Sequence, residues 1–321
     1  MPLDEDLAAF LELVEKSIIC GEKTVMPMLG PEKARLDYDL STQILDASGP
    51  AVASVAEISI PCRDGESIDA RLYKPIEFTQ VTDPRPVLLY FHGGGYCIGG
   101  LESHDSLCRS LAALTPCYVL NVAYRLAPEH RFPTAVHDAQ DAYQWIISTG
   151  AEYSLDPVRL AVGGDSAGGT LATGLTITAR EEMWPRPVCQ ILLYPCTSAW
   201  QDTESHRRYA QGYLLEEATL QWMFMNYLRD EADRTDWRFA PLQASSLCNL
   251  APVFLLLAEF DPLLDEGIEY ANKMKAAGVS TRVKIYPGMI HDFARLGNIV
   301  NEAHQVRKDI ADVLASTFYS K

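Results

Sequence analysis

Positive charge is scarce in this chain. Only 27 Lys and Arg stand against 43 Asp and Glu, a formal net charge of −16 over 321 residues. That balance argues against a nucleic-acid surface and against docking on anionic membranes, both of which select basic patches. Metal-binding cysteine patterns are also missing. The eight cysteines, at 20, 62, 97, 108, 117, 189, 196 and 248, form no Cys-x-x-Cys pair and no Cys/His cluster with zinc spacing. They are expected to be reduced thiols in a cytoplasmic protein, with no metal bound by them. The longest apolar runs, such as 253–258, are far too short to cross a bilayer. Asp4, Glu5 and Asp6 stand where a secretory signal would carry Lys or Arg. Internal repeats and low-complexity tracts are absent. The length suits a single large α/β enzyme domain spanning 1–321.

What is present is an alternation of apolar strands and helices. Leu7, Phe10, Leu11, Val14 and Ile18 fall on one face of an amphipathic helix over 4–20, and Pro31 opens a second helix to Leu45. Strands are expected at 52–60, 67–73, 86–91, 118–123, 159–163, 188–194, 253–259 and 281–286, the first two joined by the turn Arg63-Asp64-Gly65-Glu66. Helices are expected at 106–114, 132–147, 170–180, 265–277 and 298–318. This pattern predicts an eight-stranded, mostly parallel sheet covered by helices on both faces, its first pair antiparallel. The aromatic-rich stretch 197–250 breaks the alternation and carries a helix near 216–228. With the helices inside 1–50 it is the expected material of a helical cap. Ligands of such sheets bind beyond the carboxyl ends of the strands.

The chemistry-bearing residues all fall at such ends. Gly164-Asp165-Ser166-Ala167-Gly168 lies between a strand and a helix, which predicts a sharp corner with Ser166 at its apex as a nucleophile. Its alternative is a glycine-rich turn holding a chance serine. A nucleophilic serine needs a base, and there are seven histidines. His291 follows the last strand and is favoured by position over a plain loop histidine. Asp261 leaves the seventh strand directly, with Pro262 fixing the turn, so it is the candidate orienting carboxylate. Asp265 and Glu266 read instead as first-turn acids of the next helix. His92-Gly93-Gly94-Gly95 follows the third strand, and its glycines suit inward-facing backbone N–H groups of an oxyanion hole. A phosphate cradle is disfavoured, because neither Gly-x-Gly-x-x-Gly spacing nor a P-loop Lys is present. Ala167 would add one more N–H. His92 is expected to hold the loop rather than act as a base, with Gly93 and Asp165 supporting it.

Five segments carry a family resemblance: His92-Gly-Gly-Gly-Tyr96, Tyr124-Arg-Leu-Ala-Pro-Glu-His130, Gly164-Asp-Ser-Ala-Gly168, Asp261-Pro-Leu-Leu-Asp-Glu266 and Gly288-Met-Ile-His291. In this order, over roughly residues 55 to 320, the chain resembles the hormone-sensitive-lipase-like esterases, the bacterial type that includes acetyl esterase. The resemblance implies an α/β-hydrolase fold, Ser166, Asp261 and His291 as catalytic residues, and Gly94, Gly95 and Ala167 as oxyanion donors. It also implies short-acyl ester substrates, no cofactor, and the homodimers common in that family. Two positions depart from the family pattern. Glu259-Phe260 precede Asp261, and Asp292 places a second carboxylate beside the base. The expected activity is that of a serine carboxylesterase forming an acyl-enzyme. An amidase or formamidase on the same scaffold is the near alternative. A silent binding relative is disfavoured by the presence of His291.

Overall fold

A computed structural model describes residues 2–46, 48–80 and 83–319. Three N-terminal helices come first: α1 (Glu5–Ile19), α2 (Met26–Leu29) and α3 (Pro31–Leu45). There follow β1 (Ser54–Pro61), β2 (Ser67–Lys74), β3 (Arg85–Phe91), α4 (Asp105–Leu114), β4 (Tyr118–Val122), α5 (Thr134–Thr149), β5 (Leu155–Asp165), α6 (Ala167–Glu181) and β6 (Gln190–Leu193). The short α7 (Glu204–Arg208) and α8 (Glu217–Tyr227) lead to β7 (Val253–Phe260), α9 (Leu264–Ala276), β8 (Thr281–Ile290) and α10 (Glu302–Tyr319).

The eight strands form one sheet in the order β1-β2-β4-β3-β5-β6-β7-β8. β2 runs antiparallel to both β1 and β4, and every pairing from β4 to β8 is parallel. The central strands are mostly apolar where they are buried, as strands covered on both faces are. From Pro86 to Phe91 every residue of β3 is buried. Separate apolar clusters cover the two faces. α5, α6 and α9 contribute Ala139, Leu171 and Met274 to one; α4 and α10 contribute Leu111 and Ile310 to the other. Helices sandwich the sheet, and all carboxyl ends of the parallel strands open to one side.

Three sequence expectations change. β8 does not stop at Tyr286 but continues to Ile290, so Pro287 and Gly288 lie inside the strand rather than in a loop. A register irregularity absorbs them: Ala258 pairs with Tyr286, but Phe260 pairs with Ile290. Gly288 takes φ 75° there, and its N–H is held at 2.8 Å by Glu259 Oε2. The amphipathic α1 buries only Leu7 fully, while Ile18 is exposed. The third is Glu266, expected as a simple first-turn acid. It is fully buried and accepts from the N–H groups of Thr197 and Ser198.

Candidate active site

The serine corner follows from backbone sterics. Ser166 connects β5 to α6 with φ 51° and ψ −120°, outside the conformations that L-residues prefer. The corner persists because its surroundings hold it on both sides. Ser166 N–H donates to Leu193 of β6 at 2.9 Å, and Thr170 N–H returns to Ser166 O at 3.1 Å. A Cβ at Gly168 would be driven into the carbonyl oxygen of Phe91, and one at Gly164 into the backbone of Gly168. Both positions therefore need glycine so that β3, β5 and α6 can approach closely. The side chain of Ser166 stays half-buried, open to a small molecule.

Two neighbouring strand ends meet it. Asp261 directly follows β7, and its Oδ1 accepts from Leu263 N–H at 2.8 Å, which fixes the carboxylate. His291 directly follows β8. Its Nδ1 lies 2.7 Å from Asp261 Oδ2, and its Nε2 lies 3.1 Å from Ser166 Oγ. Residues 166, 261 and 291 are thus brought together from three strand ends. Both carboxylate and imidazole are nearly excluded from water. Burial by itself lowers the proton affinity of His291. The charge and hydrogen bond of Asp261, with Asp292 and Asp165 behind them, outweigh it and leave the pKa above the ordinary histidine value. The Tyr194 ring, 4.7 Å from the imidazole between centroids, packs beside it.

Gly93, Gly94 and Gly95 follow β3 on the same side. Gly94 and Gly95 take φ of 112° and 56°. Their chain turns so that Cys97 and Ile98 N–H groups both reach Gly94 O at 3.0 Å. Among the described residues nothing accepts from the N–H groups of Gly94, Gly95 or Ala167. Ala167 is also the first residue of α6, where N–H groups lack an intrahelical partner and the helix dipole favours negative charge. Three free donors near a serine hydroxyl can stabilise an oxyanion.

His92 lies under this loop. Its Nδ1 is 2.7 Å from Gly93 O, and its ring stacks on Tyr124 at 4.2 Å. Burial, reinforced by His104, pushes its pKa down to about 3, so it is neutral and serves as a brace. Asp165 is buried. Burial opposes its ionisation, but His104 and the Tyr90 hydroxyl, at 3.2 and 2.8 Å, hold it down at about 2. A Cβ on Gly93 would collide with this carboxylate, so the residue before Ser166 also shapes the glycine loop. Asp292 acts on the imidazole through its charge, not through a hydrogen bond. Its carboxylate is engaged by Arg295 and Tyr38.

The sequence reading missed the contacts that clamp the acid-bearing loop. On α7, Ser205 Oγ donates to Pro262 O at 2.7 Å, and Ser205 N–H donates to Asp265 Oδ2 at 2.7 Å. His206 Nε2 stands 3.2 Å from the buried Glu266 Oε2. No local pattern signals them, because the partners are about sixty residues apart. Among the described residues no group of His, Cys, Asp and Glu has metal-site geometry, and no helix is long and apolar enough to cross a membrane.

Comparison with known proteins shows the family. A family model described as the alpha/beta hydrolase fold matches residues 88–295. An ethyl acetate hydrolase of Pseudomonas putida is 42% identical over 95% of this chain and 96% of its own length. A carboxylic ester hydrolase of Mycobacterium tuberculosis, LipN, is 41% identical over 77% of this chain and 66% of its own. Among solved structures, an ester hydrolase from the metagenome of Lake Arreo superposes with a TM-score of 0.94 at 34% identity, covering 98% of this chain and 99% of that one. A thermostable esterase of Pseudomonas putida gives 0.93 at 32% identity, covering 100% and 99%. With its eight-stranded sheet and serine corner, the chain belongs to the α/β-hydrolase-fold family, in the hormone-sensitive-lipase-like branch, and is a serine carboxylesterase acting on small-molecule esters.

Proposed function

We propose that Ser166, His291 and Asp261 carry the hydrolysis and that it passes through an acyl-enzyme. His291 Nε2 takes the proton as Ser166 Oγ adds to the ester carbonyl, and the resulting oxyanion is held by the N–H groups of Gly94, Gly95 and Ala167. Collapse expels the alcohol, which receives that proton from His291. A water then repeats the addition on the acyl-enzyme, with His291 again as base; collapse breaks the bond to Ser166 Oγ, which takes the proton back from His291 as the carboxylic acid leaves. Asp261 holds the imidazole in the tautomer whose Nε2 can accept. His92, Gly93 and Asp165 keep the donor loop and corner in shape. The observation that carries this reading is the continuous relay of 3.1 Å and 2.7 Å from Ser166 through His291 to Asp261. A fluorophosphonate probe is expected to label the enzyme once, on the peptide bearing Ser166. Labelling of Ser166→Ala at the wild-type rate would refute the assignment.

The helices within 1–50 and the segment 197–250 form a cap over the site in a single domain. In support, Met223 of α8 sits against Gly95, and Tyr227 stacks on Tyr96 at 3.8 Å. A roof this close to the donor loop favours short acyl groups, as does the likeness to an ethyl acetate hydrolase. Each methylene gains about 0.8 kcal/mol only while the pocket has room. Rates on p-nitrophenyl esters should therefore peak between acetyl and hexanoyl. Faster turnover of emulsified long-chain triglyceride than of a soluble butyrate ester would overturn this. A cytoplasmic location accords with eight free cysteines, and a homodimer, checked by sedimentation, with the family resemblance.

A further inference from the structure

Behind the imidazole lies a buried polar layer that the hydrolytic steps do not use. Asp292, directly after His291, takes φ 67°. Its carboxylate accepts from Arg295 Nε at 3.1 Å and from the Tyr38 hydroxyl at 3.2 Å. Arg295 is only 3% exposed. Its Nη1 donates to Thr42 Oγ1 at 3.1 Å and to Ser103 O at 3.3 Å, and its guanidinium carbon stands 4.0 Å from the centre of the Tyr38 ring. Tyr38 and Thr42 both belong to α3. The layer continues: Ser103 Oγ is 3.0 Å from His104 Nδ1, and His104 Nε2 is 3.2 Å from Asp165. The residue before Ser166 and the residue after His291 therefore share one network, buried at Arg295, His104 and Asp165 and half-buried at Asp292 and Tyr38, with a permanent cation in it.

We propose that Arg295 is a positioning residue through which α3 acts on His291: held by Tyr38 and Thr42, it fixes Asp292 and balances that carboxylate's charge behind the imidazole. The inference rests on His291 being the base. A guanidinium stays charged in proteins, so Arg295 holds the Asp292 carboxylate in a fixed place by a charge-assisted contact. The groups facing His291 are Asp261 from the end of β7, Asp165 from the end of β5, Tyr194 after β6 and Asp292 on its own loop; Arg295, Asp39 and Tyr38 lie in the layer behind. The three carboxylates Asp261, Asp292 and Asp165 all favour the imidazolium. Arg295 opposes the last two, being drawn by charge to both. Thr42 and Ser103 lie 253 and 192 residues from Arg295 in sequence, so the layer closes only when α3 is docked.

The two partners must then have opposite effects, which a purely structural role would not produce. The readout is the acid limb of kcat/KM against pH for a soluble short-chain ester, with active sites counted by fluorophosphonate titration. The position of that limb does not depend on how much of a variant folds. Asp292→Asn is expected to move the limb down by about one unit, and Arg295→Gln to move it up by about one unit. Arg295→Lys keeps the charge and should stay near the parent limb. Tyr38→Phe removes one donor to Asp292 and should move it up by less than Arg295→Gln. Shifts of the same sign in Asp292→Asn and Arg295→Gln, no shift in either, an Arg295→Lys limb displaced as far as that of Arg295→Gln, or an unmoved Tyr38→Phe limb would overturn the proposal. His291→Ala separates it from the reading beneath. A parent-like profile in that variant overturns the base assignment and the proposal with it. Loss of activity there, with unmoved limbs in the others, overturns the network alone.

Discussion

The serine corner and the N-terminal arm are built on opposite principles. In α6, every residue from Ala167 to Ala179 is buried, and the glycines around Ser166 leave no room even for a methyl group. In the arm, α1 buries only Leu7, and α3 only Ala34 and Thr42. Leu36, Leu40 and Ile44, spaced one turn apart on α3, are 59%, 61% and 74% exposed. Partly buried side chains such as Leu11, Leu29 and Leu45 pack against the core, and a few polar anchors add to their hold. Arg35 binds both carboxylate oxygens of Glu129 and the carbonyls of Cys97 and Ala127, and α3 closes over Arg295. A buried apolar side chain contributes about 1.5–3 kcal/mol, and a typical hydrogen bond only about 0.5–1.5 kcal/mol. The corner should therefore open only with global unfolding, and the arm well before it. The difference teaches how the enzyme divides its tasks. Close packing sets the geometry of the reacting atoms, while a lightly packed arm supplies electrostatic surroundings that can be altered without disturbing that geometry.

The largest effect should come from Ser166→Ala, which removes one oxygen and leaves the packing around it. The expected result is a loss in kcat of at least the order of 10⁴ with an unchanged melting temperature. A melt that collapses together with activity would mean that the corner is less securely packed than argued.

Nearly as large is the effect expected of Asp261→Asn. The amide would donate to His291 where the carboxylate now accepts, favouring the wrong tautomer, and kcat should fall by up to about 10⁴ in a folded protein. Asp265→Asn keeps an oxygen for Ser205 N–H and should retain most activity with a slightly lower melting temperature. Kinetics and melts of the two variants side by side decide the matter, and the reverse ranking would identify Asp265 as the orienting acid.

A smaller effect concerns pH. His291 must be neutral to accept the serine proton, and its pKa is raised, so kcat/KM should fall with acid around a midpoint above about 6.5. The same shift means that the imidazolium adds stability below its unfolded pKa, an increment lost as pH rises through the folded value. A pH–rate profile with its midpoint at or below 6 would contradict this balance of charges.

The smallest effect sharpens the contrast from the arm's side. Leu40→Ser on the exposed stripe of α3 should change stability by less than about 0.5 kcal/mol and leave kcat unchanged. Arg35→Ala, which removes an anchor, should lower an early, low-energy opening of the arm seen by hydrogen exchange while leaving protection of β5 and α6 intact. Equal loss of protection in both regions would show that they unfold as one unit.

What the sequence determined by itself was everything encoded in local patterns. Runs of apolar residues of strand length alternate with helical periodicity, and that is enough for an eight-stranded, mostly parallel sheet. A corner that tolerates only glycine beside Ser166, an acid directly after the seventh apolar run, and a histidine in the segment following the last strand point to 166, 261 and 291, which the fold brings within hydrogen-bonding distance. Such signals are legible because they depend on backbone sterics and burial within a few residues. Tertiary structure decided the rest. The continuation of β8 through Pro287 and Gly288 depends on pairing with β7 across an irregular register. The partial exposure of α1 and α3 could not be read from their amphipathic patterns, because a pattern shows which face can be buried but not how much core is available to bury it. Glu266 reads as an ordinary first-turn acid until Thr197 and Ser198 are folded onto it. Asp292 reads as a perturbing charge beside the base until Tyr38, 254 residues away, and Arg295 close around it. Charged and polar partners so far apart leave no periodicity in the chain, and only the assembled fold brings them within reach of one another.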